Sequence, residues 1–473
     1  QTTQGVIVDC EAFIPTEKGY QAAPSAQNGG TAALSAPCFG AASLRRLDAS
    51  FRIIAGTQTK LYQQTGATWT DITRTGSNYA LGSDNFWRFA QFGDISLAVA
   101  KTETLQAGTT TNFSDVTAAP KASIVETVGR FVFLCDTNET TYGDSPNRWW
   151  CSALNDYTDW TPSIATQCAT NTLTSSPGRI YAARRFGERI VIYKERAMYV
   201  GTYVGAPIIW DMQEVPGDAG CNSQEAVVNI GTPDNPVHLF MGADDFWRFD
   251  GARPLPVGGP VRKTVYAELD YDYAYNIKTL HDRVNSRVFF FYPTLGGNGV
   301  LSKCVVYHYR ANKWGRDDRT IQAAFEYLAG GISWDTFPFA SWDSIPSNLT
   351  WDSPFWTAGS LGPAIFDNTN TLLTLDGTAT NSSFTTGDYG DDINYFVLNR
   401  VKPKWLTLPT SATMTHFYKA SEGDALTTGV TSTINESRFD MLMSARWHRL
   451  KFNMVGDAVL NEFDANYVQR GKE

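Results

Sequence analysis

Acidic side chains cluster at two places in the sequence where they could do chemistry. The stretch GDYGDDIN, residues 387–394, offers Asp388, Asp391 and Asp392, whose carboxylate oxygens are hard ligands of the kind that calcium prefers. Their spacing is not that of an EF-hand loop, so an ordinary acidic turn is the alternative. The stretch ELDYD, residues 268–272, could hide a glycosidase pair, because carboxylates from different strands can meet in space. Nothing in the sequence selects two such carboxylates.

Recognisable catalytic and metal-binding motifs are absent from the sequence. It contains no Gly-x-x-x-x-Gly-Lys-[Ser/Thr] phosphate loop, no Gly-x-Ser-x-Gly elbow and no His-Glu-x-x-His. Its 7 cysteines are scattered without a Cys-x-x-Cys pair, and its 5 histidines lie far apart. We therefore predict no disulfide framework and no zinc site, and assign no catalytic, cofactor-binding or metal residue.

The charge of the chain argues against tight binding of nucleic acid. The formal net charge is -9 and the pI is about 5.2, so no global basic surface is available to neutralise phosphates. DNA that touched this protein would have to slide past it. No run of 18 apolar residues suggests a membrane span, and the start QTTQGVIVDC lacks the pattern of a signal peptide. We expect a soluble, unsecreted protein.

The composition indicates the elements that must position any site. Charged residues make up 18% of the chain and aromatic residues 13%, with 39 Gly and 21 Pro. This profile is typical of many short strands joined by tight turns. A chain of 473 residues should contain two or three units, or one large domain and a smaller one.

Short apolar runs recur along the first three quarters of the chain. Their mean spacing is about 47 residues, the length of a β-propeller blade. Each run is almost unbroken, as expected for an inner blade strand packed between neighbouring blades. The runs are FRIIAG from Phe51, DISLAVA from Asp94, GRFVFLC from Gly129, ERIVIY from Glu188, VHLFMG from Val237 and SRVFFFY from Ser286.

One motif occurs twice. Asp-Asn-Phe-Trp-Arg-Phe spans residues 84–89, and Asp-Asp-Phe-Trp-Arg-Phe spans residues 244–249. We predict that they are equivalent strands of different blades, with Phe and Trp on opposite faces and the Arg stacked on a ring. An aromatic ligand cage is the alternative.

A third motif, SALNDYTDW at residues 152–160, resembles a degenerate Asp-box, the hairpin turn of sialidase-like propellers, without its Gly. Asp-boxes are structural turns, so this similarity supports the fold and leaves the activity open.

These patterns predict an all-β protein, a β-propeller of five to seven blades followed by a small C-terminal β-sandwich. Residues 1–45, rich in Ala, Gly, Ser and Pro, are predicted as an arm over the body or a neighbour, and residues 46–330 as the propeller. Residues 331–380 repeat Trp-Asp-[Ser/Thr] between prolines, which predicts a ribbon that also holds the propeller closure. Its tryptophans could bind sugar or a partner, or fasten the ribbon to the body. Alternating strands predict the sandwich at residues 381–473.

Several segments follow a characteristic order along nearly the whole chain. They are EKGYQAAPS (17–25), CFGAASLRRLDASFRIIAGTQTKLY (38–62), WTDITRTGSNY (69–79), FWRFAQFGD (86–94), the YKE hairpin (193–195), the Trp-Asp ribbon and SARWHRLKF (444–452). This order resembles that of the tail hub, or nozzle, proteins of short-tailed bacteriophages. The resemblance lies in order and texture and includes no catalytic motif.

The resemblance implies a structural virion protein without catalytic residues or cofactors. Such a protein forms a homohexameric ring below the portal and adaptor proteins, each subunit a β-propeller with an added β-domain. It closes the head, carries tail fibres or tailspikes, and lines the channel through which double-stranded DNA leaves without specific binding. The implied location is the virion tail, after assembly in the bacterial host cytoplasm and without membrane insertion. The charge of -9 agrees with a channel wall that does not hold phosphates.

Two other hypotheses remain open at this point. The degenerate Asp-box and the many tryptophans also fit a sialidase-like glycoside hydrolase that acts on surface polysaccharide. The Trp-Asp ribbon alone would fit a carbohydrate-binding propeller. Both alternatives predict monomers or dimers, whereas the tail hub predicts a ring.

Overall fold

The computed structural model describes residues 6–328 and 361–472. Most of its regular elements are β-strands. Four strands come first: β1 (Ile7–Glu11), β2 (Phe13–Pro15), β3 (Tyr20–Ala22) and β4 (Ser25–Asn28). Within the described ranges, no helix is both long and apolar enough to cross a membrane.

Six antiparallel sheets of four strands, together with the first four strands of a nine-stranded sheet, form the seven blades of a propeller. The fourth strand of the seventh blade is β4. Blade one comprises β5 (Gly40–Arg45), β6 (Phe51–Gly56), β7 (Leu61–Thr65) and β8 (Thr68–Asp71). Blade two comprises β9 (Arg88–Phe92), β10 (Ile95–Val99), β11 (Gln106–Gly108) and β12 (Ser114–Asp115). Blade three comprises β13 (Lys121–Val128), β14 (Phe131–Glu139), β15 (Gly143–Cys151) and β16 (Ala169–Thr172). Blade four comprises β17 (Ala182–Phe186), β18 (Arg189–Tyr193), β19 (Met198–Gly205) and β20 (Ile209–Val215). Blade five comprises β21 (Val227–Asn229), β22 (His238–Met241), β23 (Phe246–Phe249) and β24 (Leu255–Pro256). Blade six comprises β25 (Lys278–Asp282), β26 (Arg287–Pro293), β27 (Leu301–His308) and β28 (Lys313–Arg316). Blade seven comprises β29 (Ala323–Leu328), β30 (Leu361–Phe366), β31 (Leu372–Gly377) and β4.

The first strands of the blades form a closed ring. Each first strand contacts the first strand of the next blade, and β29 of blade seven returns to β5 of blade one. The predicted propeller is therefore confirmed, with seven blades, the upper end of the predicted range. Helical elements lie mainly in the connections: α1 (Gly259–Glu268) and two 3-10 helices, Gln224–Ala226 and Tyr271–Asn276.

The periodic apolar runs occupy one equivalent position, the second strand of blades one to six. They pack between blades, as the nearly complete burial of β26 illustrates. The first strands are less apolar because one edge of each faces the axis.

The repeated Phe-Trp-Arg-Phe motif does not mark equivalent strands, so that prediction was wrong. Its first copy ends in the first two residues of β9, a first strand, and its second copy ends with β23, a third strand. What the copies share is local, because in each the Trp ring packs against a glycine. A Cβ added to Gly56 would lie 2.2 Å from Trp87 Cδ1, and one added to Gly242 would lie 2.7 Å from Trp247 Cδ1.

The N-terminal segment, predicted as an arm, supplies strands to both domains. Strand β4 pairs with β31 and completes blade seven, and β1 to β3 join the C-terminal sheets. The predicted ribbon falls partly outside the described residues, at 331–360. Its remainder forms β30 and β31 of blade seven.

Two sheets pack face to face in the C-terminal β-sandwich. One has the order β1-β32-β38-β35-β36, with β33 also paired to β38, and the other continues blade six as β28-β2-β3-β39-β34-β37. Its core includes Phe384, Met414, Phe439 and Phe452. The added strands are β32 (Asn381–Thr386), β33 (Tyr389–Gly390), β34 (Asn394–Thr407), β35 (Ser411–Lys419), β36 (Thr427–Thr433), β37 (Phe439–Ala445), β38 (Trp447–Val455) and β39 (Val459–Lys472). The predicted sandwich is confirmed.

A buried pair of histidines in one sheet of the sandwich is hydrogen-bonded to the other sheet. His416 Nε2 lies 2.8 Å from His448 Nδ1, and His448 Nε2 lies 3.0 Å from the carbonyl oxygen of Phe396. Because a carbonyl only accepts, His448 Nε2 donates to it and His448 Nδ1 accepts the proton of His416 Nε2. Burial lowers the pKa of His416 to about 4, with the charge of His448 adding to the effect. Burial lowers the pKa of His448 as well.

We predict that replacing Gly56 by Ala destabilises the propeller. The new Cβ would overlap the Trp87 indole, which is fully buried and hydrogen-bonded through Nε1 to Thr57 O at 2.8 Å. The expected loss in unfolding free energy is about 1–3 kcal/mol, measured by urea denaturation. Gly423→Ala is the matched control, because a Cβ there meets nothing within 4 Å. Equal stability of the two variants would contradict the packing argument.

We also predict that acid destabilises the sandwich through His416. Its folded pKa lies below the unfolded value of about 6.5, so its contribution is complete above that pH and is lost as pH falls toward the folded pKa. For one proton the loss is at most about 1.4 kcal/mol per pH unit. The variant His416→Gln keeps a neutral donor for His448, so thermal unfolding between pH 7 and pH 4 should vary less with pH than in the wild type. An unchanged slope would exclude His416 as the cause.

Candidate functional site: the axial channel

The first strands of the blades surround an axial channel that contains two cavities. The lower cavity, of about 600 Å³, is lined among others by Glu126, Arg184, Glu225 and Glu326. The upper cavity, of about 670 Å³, is lined among others by Lys101, Asp136, Asp144, Arg179 and Tyr275. Arg88, at the start of β9, lines both cavities and so marks the waist between them. Cavities of this size suit small molecules.

Charges of alternating sign meet at the waist. Five successive blades, two to six, contribute the waist cluster: Arg88, Glu126, Arg184, Glu225 and Lys278. Lys278 Nζ forms a close ion pair with Glu225 and lies 4.6 Å from the centre of the Phe86 ring. Arg184 Nη2 donates to Gln224 O at 2.7 Å, while its Nη1 lies 3.9 Å from Glu126 Oε2.

The two glutamates of the waist cluster have pKa values shifted in opposite directions. Burial raises the pKa of Glu126, and the nearby Arg184 offsets this only in part. Burial would also raise the pKa of Glu225, but Lys278, Arg88 and Arg184 together hold it below its usual value. The difference follows from geometry, because Glu225 has a close ammonium partner and Glu126 has only a distant guanidinium.

The upper cavity contains a second group of paired charges, centred on Asp136. This residue is fully buried and has a left-handed backbone with φ of 54°. Its carboxylate accepts hydrogen bonds from Lys101 Nζ at 2.7 Å, Arg179 Nη2 at 2.6 Å and Ser123 Oγ at 2.5 Å. Lys101 Nζ also lies 2.8 Å from Asp144 Oδ1. The positive charges of Lys101 and Arg179 are thus matched in number by the two carboxylates.

The carboxylates of GDYGDDIN are engaged by protein donors and form an acidic turn. Asp388 pairs with Arg449 Nε at 2.6 Å and Lys419 Nζ at 2.9 Å. Asp391 accepts from the backbone amide of Ile393, and Asp392 accepts from the Trp447 indole at 2.6 Å. Among the described residues, no group of three His, Cys, Asp or Glu side chains is placed to hold a metal ion.

The acidic stretch 268–272 is divided between three environments. Glu268 lies 3.3 Å from Arg316 Nη2 in an ion pair, and Asp270 Oδ1 accepts the backbone amide of Asp272. Asp272 alone reaches the upper cavity. The three carboxylates therefore lie in separate environments and do not form a catalytic pair.

The Asp-box-like segment forms a turn between β15 and β16 in blade three. Asp156 Oδ1 accepts from Thr158 N at 2.8 Å, and the buried Trp160 donates through Nε1 to Tyr157 O at 2.8 Å. These contacts stabilise the turn itself.

No family model matches the sequence, and no curated protein matches it. Similar solved structures include YCF48 bound to a D1 peptide, with 12% identity, a TM-score of 0.39 and coverage of 74% of this chain and 94% of that chain. The Pan2 WD40 domain of Neurospora crassa has 8% identity and a TM-score of 0.39, covering 72% and 89%. An exo-β-1,3-galactanase from Phanerochaete chrysosporium has 8% identity and a TM-score of 0.27, covering 83% and 98%. Likenesses this slight do not bear on function.

We predict that Lys278→Met destabilises the propeller because it leaves Glu225 partly buried without its close counterion. The expected loss in unfolding free energy is about 3 kcal/mol, measured by urea denaturation. Adding Glu225→Gln to this variant removes the unpaired charge and should restore most of the loss. A double variant no more stable than Lys278→Met would show that the cost does not arise from the unpaired carboxylate.

Proposed function

We propose that this chain is a structural virion protein, a tail hub or nozzle of a short-tailed bacteriophage. In this proposal six copies form a ring that extends the DNA-ejection channel below portal and adaptor and anchors tail fibres or spikes. The order of segments along the sequence supports it. Two features of the structure support it further: the distribution of exposed apolar side chains and the way in which the two domains are joined.

The observation that carries the proposal is the apolar surface of the sandwich. Leu442 of β37 is 75% exposed, Leu406 of β34 is 62% exposed and Ile393 before β34 is 59% exposed. Further exposed apolar residues of this domain are Val6, Val8, Leu408, Leu426, Val430, Val455 and Val468. About half of the large apolar side chains exposed in the described residues therefore belong to the smaller domain. Contiguous exposed apolar side chains mark assembly interfaces, and we propose that those of the sandwich form the ring contacts.

The two domains are joined by strand pairing. Strand β2 pairs with β28 of blade six through Phe13 and Arg316, and β3 pairs with β39 of the sandwich. A nine-stranded sheet thus runs from the propeller into the sandwich. Because no linker separates the domains along this path, contacts made by the sandwich would fix the orientation of the propeller in a ring.

The DNA path would lie on the axis of the ring, between subunits. Charged side chains line the waist of the propeller channel, and its cavities are of small-molecule size. A wall made by a chain with net charge -9 would repel phosphates and let DNA slide.

A glycoside hydrolase is the second candidate, favoured by one observation. Glu126 and Glu225 line the same cavity, and their pKa values are shifted in opposite directions, as a general acid and its partner carboxylate require. Against this role, Lys278 engages Glu225 in an ion pair.

Electron microscopy of the purified protein, alone and mixed with portal and adaptor proteins of a short-tailed phage, tests the proposal. We expect six-fold rings with an open axis. The variant Leu442→Glu should reduce the fraction of rings at least tenfold without changing thermal unfolding, since it places charge in the interface. Leu47→Glu is the matched control, because Leu47 is 78% exposed in the propeller.

Monomers that ignore both partner proteins would overturn the tail-hub proposal. If such monomers also cleave a surface polysaccharide, and Glu126→Gln abolishes the cleavage, the hydrolase would replace it.

A further inference from the structure

Among the described cationic residues that line the channel, Arg88 differs from the others in forming no ion pair with a carboxylate. Its Nη1 donates to Ser123 O at 3.3 Å, and its buried Nε has no hydrogen-bond partner. No ion pair joins it to any described carboxylate. Burial lowers the pKa of Arg88; Glu225 opposes this effect and the like charge of Arg184 adds to it. A guanidinium in this position is poorly compensated by its own protein.

The waist cluster as a whole carries an excess of positive charge. Arg88, Arg184 and Lys278 face two carboxylates, of which Glu225 is taken by Lys278. The other, Glu126, lies 3.9 Å from Arg184 Nη1 and accepts a hydrogen bond from the backbone amide of Thr127 at 2.9 Å. The carboxylate of Asp136 is paired with Lys101 and Arg179, and Arg179 opposes the effect of Asp136 on the pKa of Arg88.

Other acidic groups near the channel do not neutralise Arg88. Asp84, Glu195 and Asp272 line the upper cavity but are exposed to solvent, which screens their charge. Glu326, at the lower cavity, pairs with Arg283 Nε at 2.9 Å. The buried Nε of Arg184, like that of Arg88, lacks a hydrogen-bond partner.

We propose that the waist of the propeller channel binds an oxyanion, the carboxylate or phosphate group of a small molecule, through Arg88 and Arg184. Planar guanidinium groups match both kinds of oxyanion, and their free N–H groups supply the hydrogen bonds. The two cavities give the ligand an approach from either side and room for the part that bears the anion. This inference does not depend on the tail-hub proposal, since a channel within each subunit exists with or without a ring.

Calorimetric titration of the purified protein at constant ionic strength tests the inference. The probes are inorganic phosphate and glucuronate, which present the two oxyanions as a free ion and on a sugar. We expect saturable binding of at least one probe with one site per chain. In Arg88→Gln the affinity should fall at least tenfold, and in Arg88→Lys, which keeps the charge and loses the planar fork, it should fall less.

Arg310→Gln is the matched control, because this exposed arginine lies in the turn after β27, outside the channel lining. It should bind the probe as the wild type does. Absence of saturable binding to the wild type would overturn the inference, and this result does not depend on any variant folding. Equal affinities of Arg88→Gln and Arg310→Gln would also overturn it, because binding would then lie elsewhere. Phosphate binding without glucuronate binding would assign the site to free phosphate, and the reverse to an acidic sugar.

Discussion

The rest of the fold depends on one constraint. The N-terminal strands pair with strands of the propeller and with strands of the sandwich. Strand β4 supplies the outer strand of blade seven, so the propeller ring is completed by residues that lie about 350 positions from their partner β31. Strands β2 and β3 continue blade six into the sandwich. Closing such a long loop costs little more entropy than closing a short one, because the cost grows only with the logarithm of length. In return the chain covers strand edges that would otherwise be exposed.

Much of the fold could be predicted from the sequence because one signal repeats. The second strand of blades one to six is largely buried on both faces between neighbours, so most of its residues are apolar, as in Phe289 to Tyr292. That requirement produced the regular runs that indicated a propeller. The sandwich followed from alternating strands after residue 381, whose inward side chains, such as Phe384, pack between two sheets. Both signals are local and survive in a single sequence.

Other features could not be predicted, since they depend on contacts between distant segments. The Phe-Trp-Arg-Phe repeat encodes a Trp that packs on glycine, and a first strand or a third strand can use that arrangement equally well. The strands at the N-terminus are short and carry little periodicity; β2 is only Phe13–Pro15. The waist cluster was missed because its members belong to different blades, far apart in sequence. A weak signal existed, since Glu126 and Arg184 are charged residues a few positions before an apolar run.

Most charged side chains in the channel form ion pairs, and Arg88 does not. The ion pairs there connect neighbouring blades: Lys101 of blade two with Asp136 of blade three, Lys278 of blade six with Glu225 of blade five, and Arg283 of blade six with Glu326 of blade seven. Ion pairs that connect neighbouring blades fix the blades relative to one another, a function that any closed propeller could use. Arg88 takes part in none of them, although keeping a partly buried charge without a close counterion costs free energy. A bound anion would supply the counterion that Arg88 lacks among the described residues.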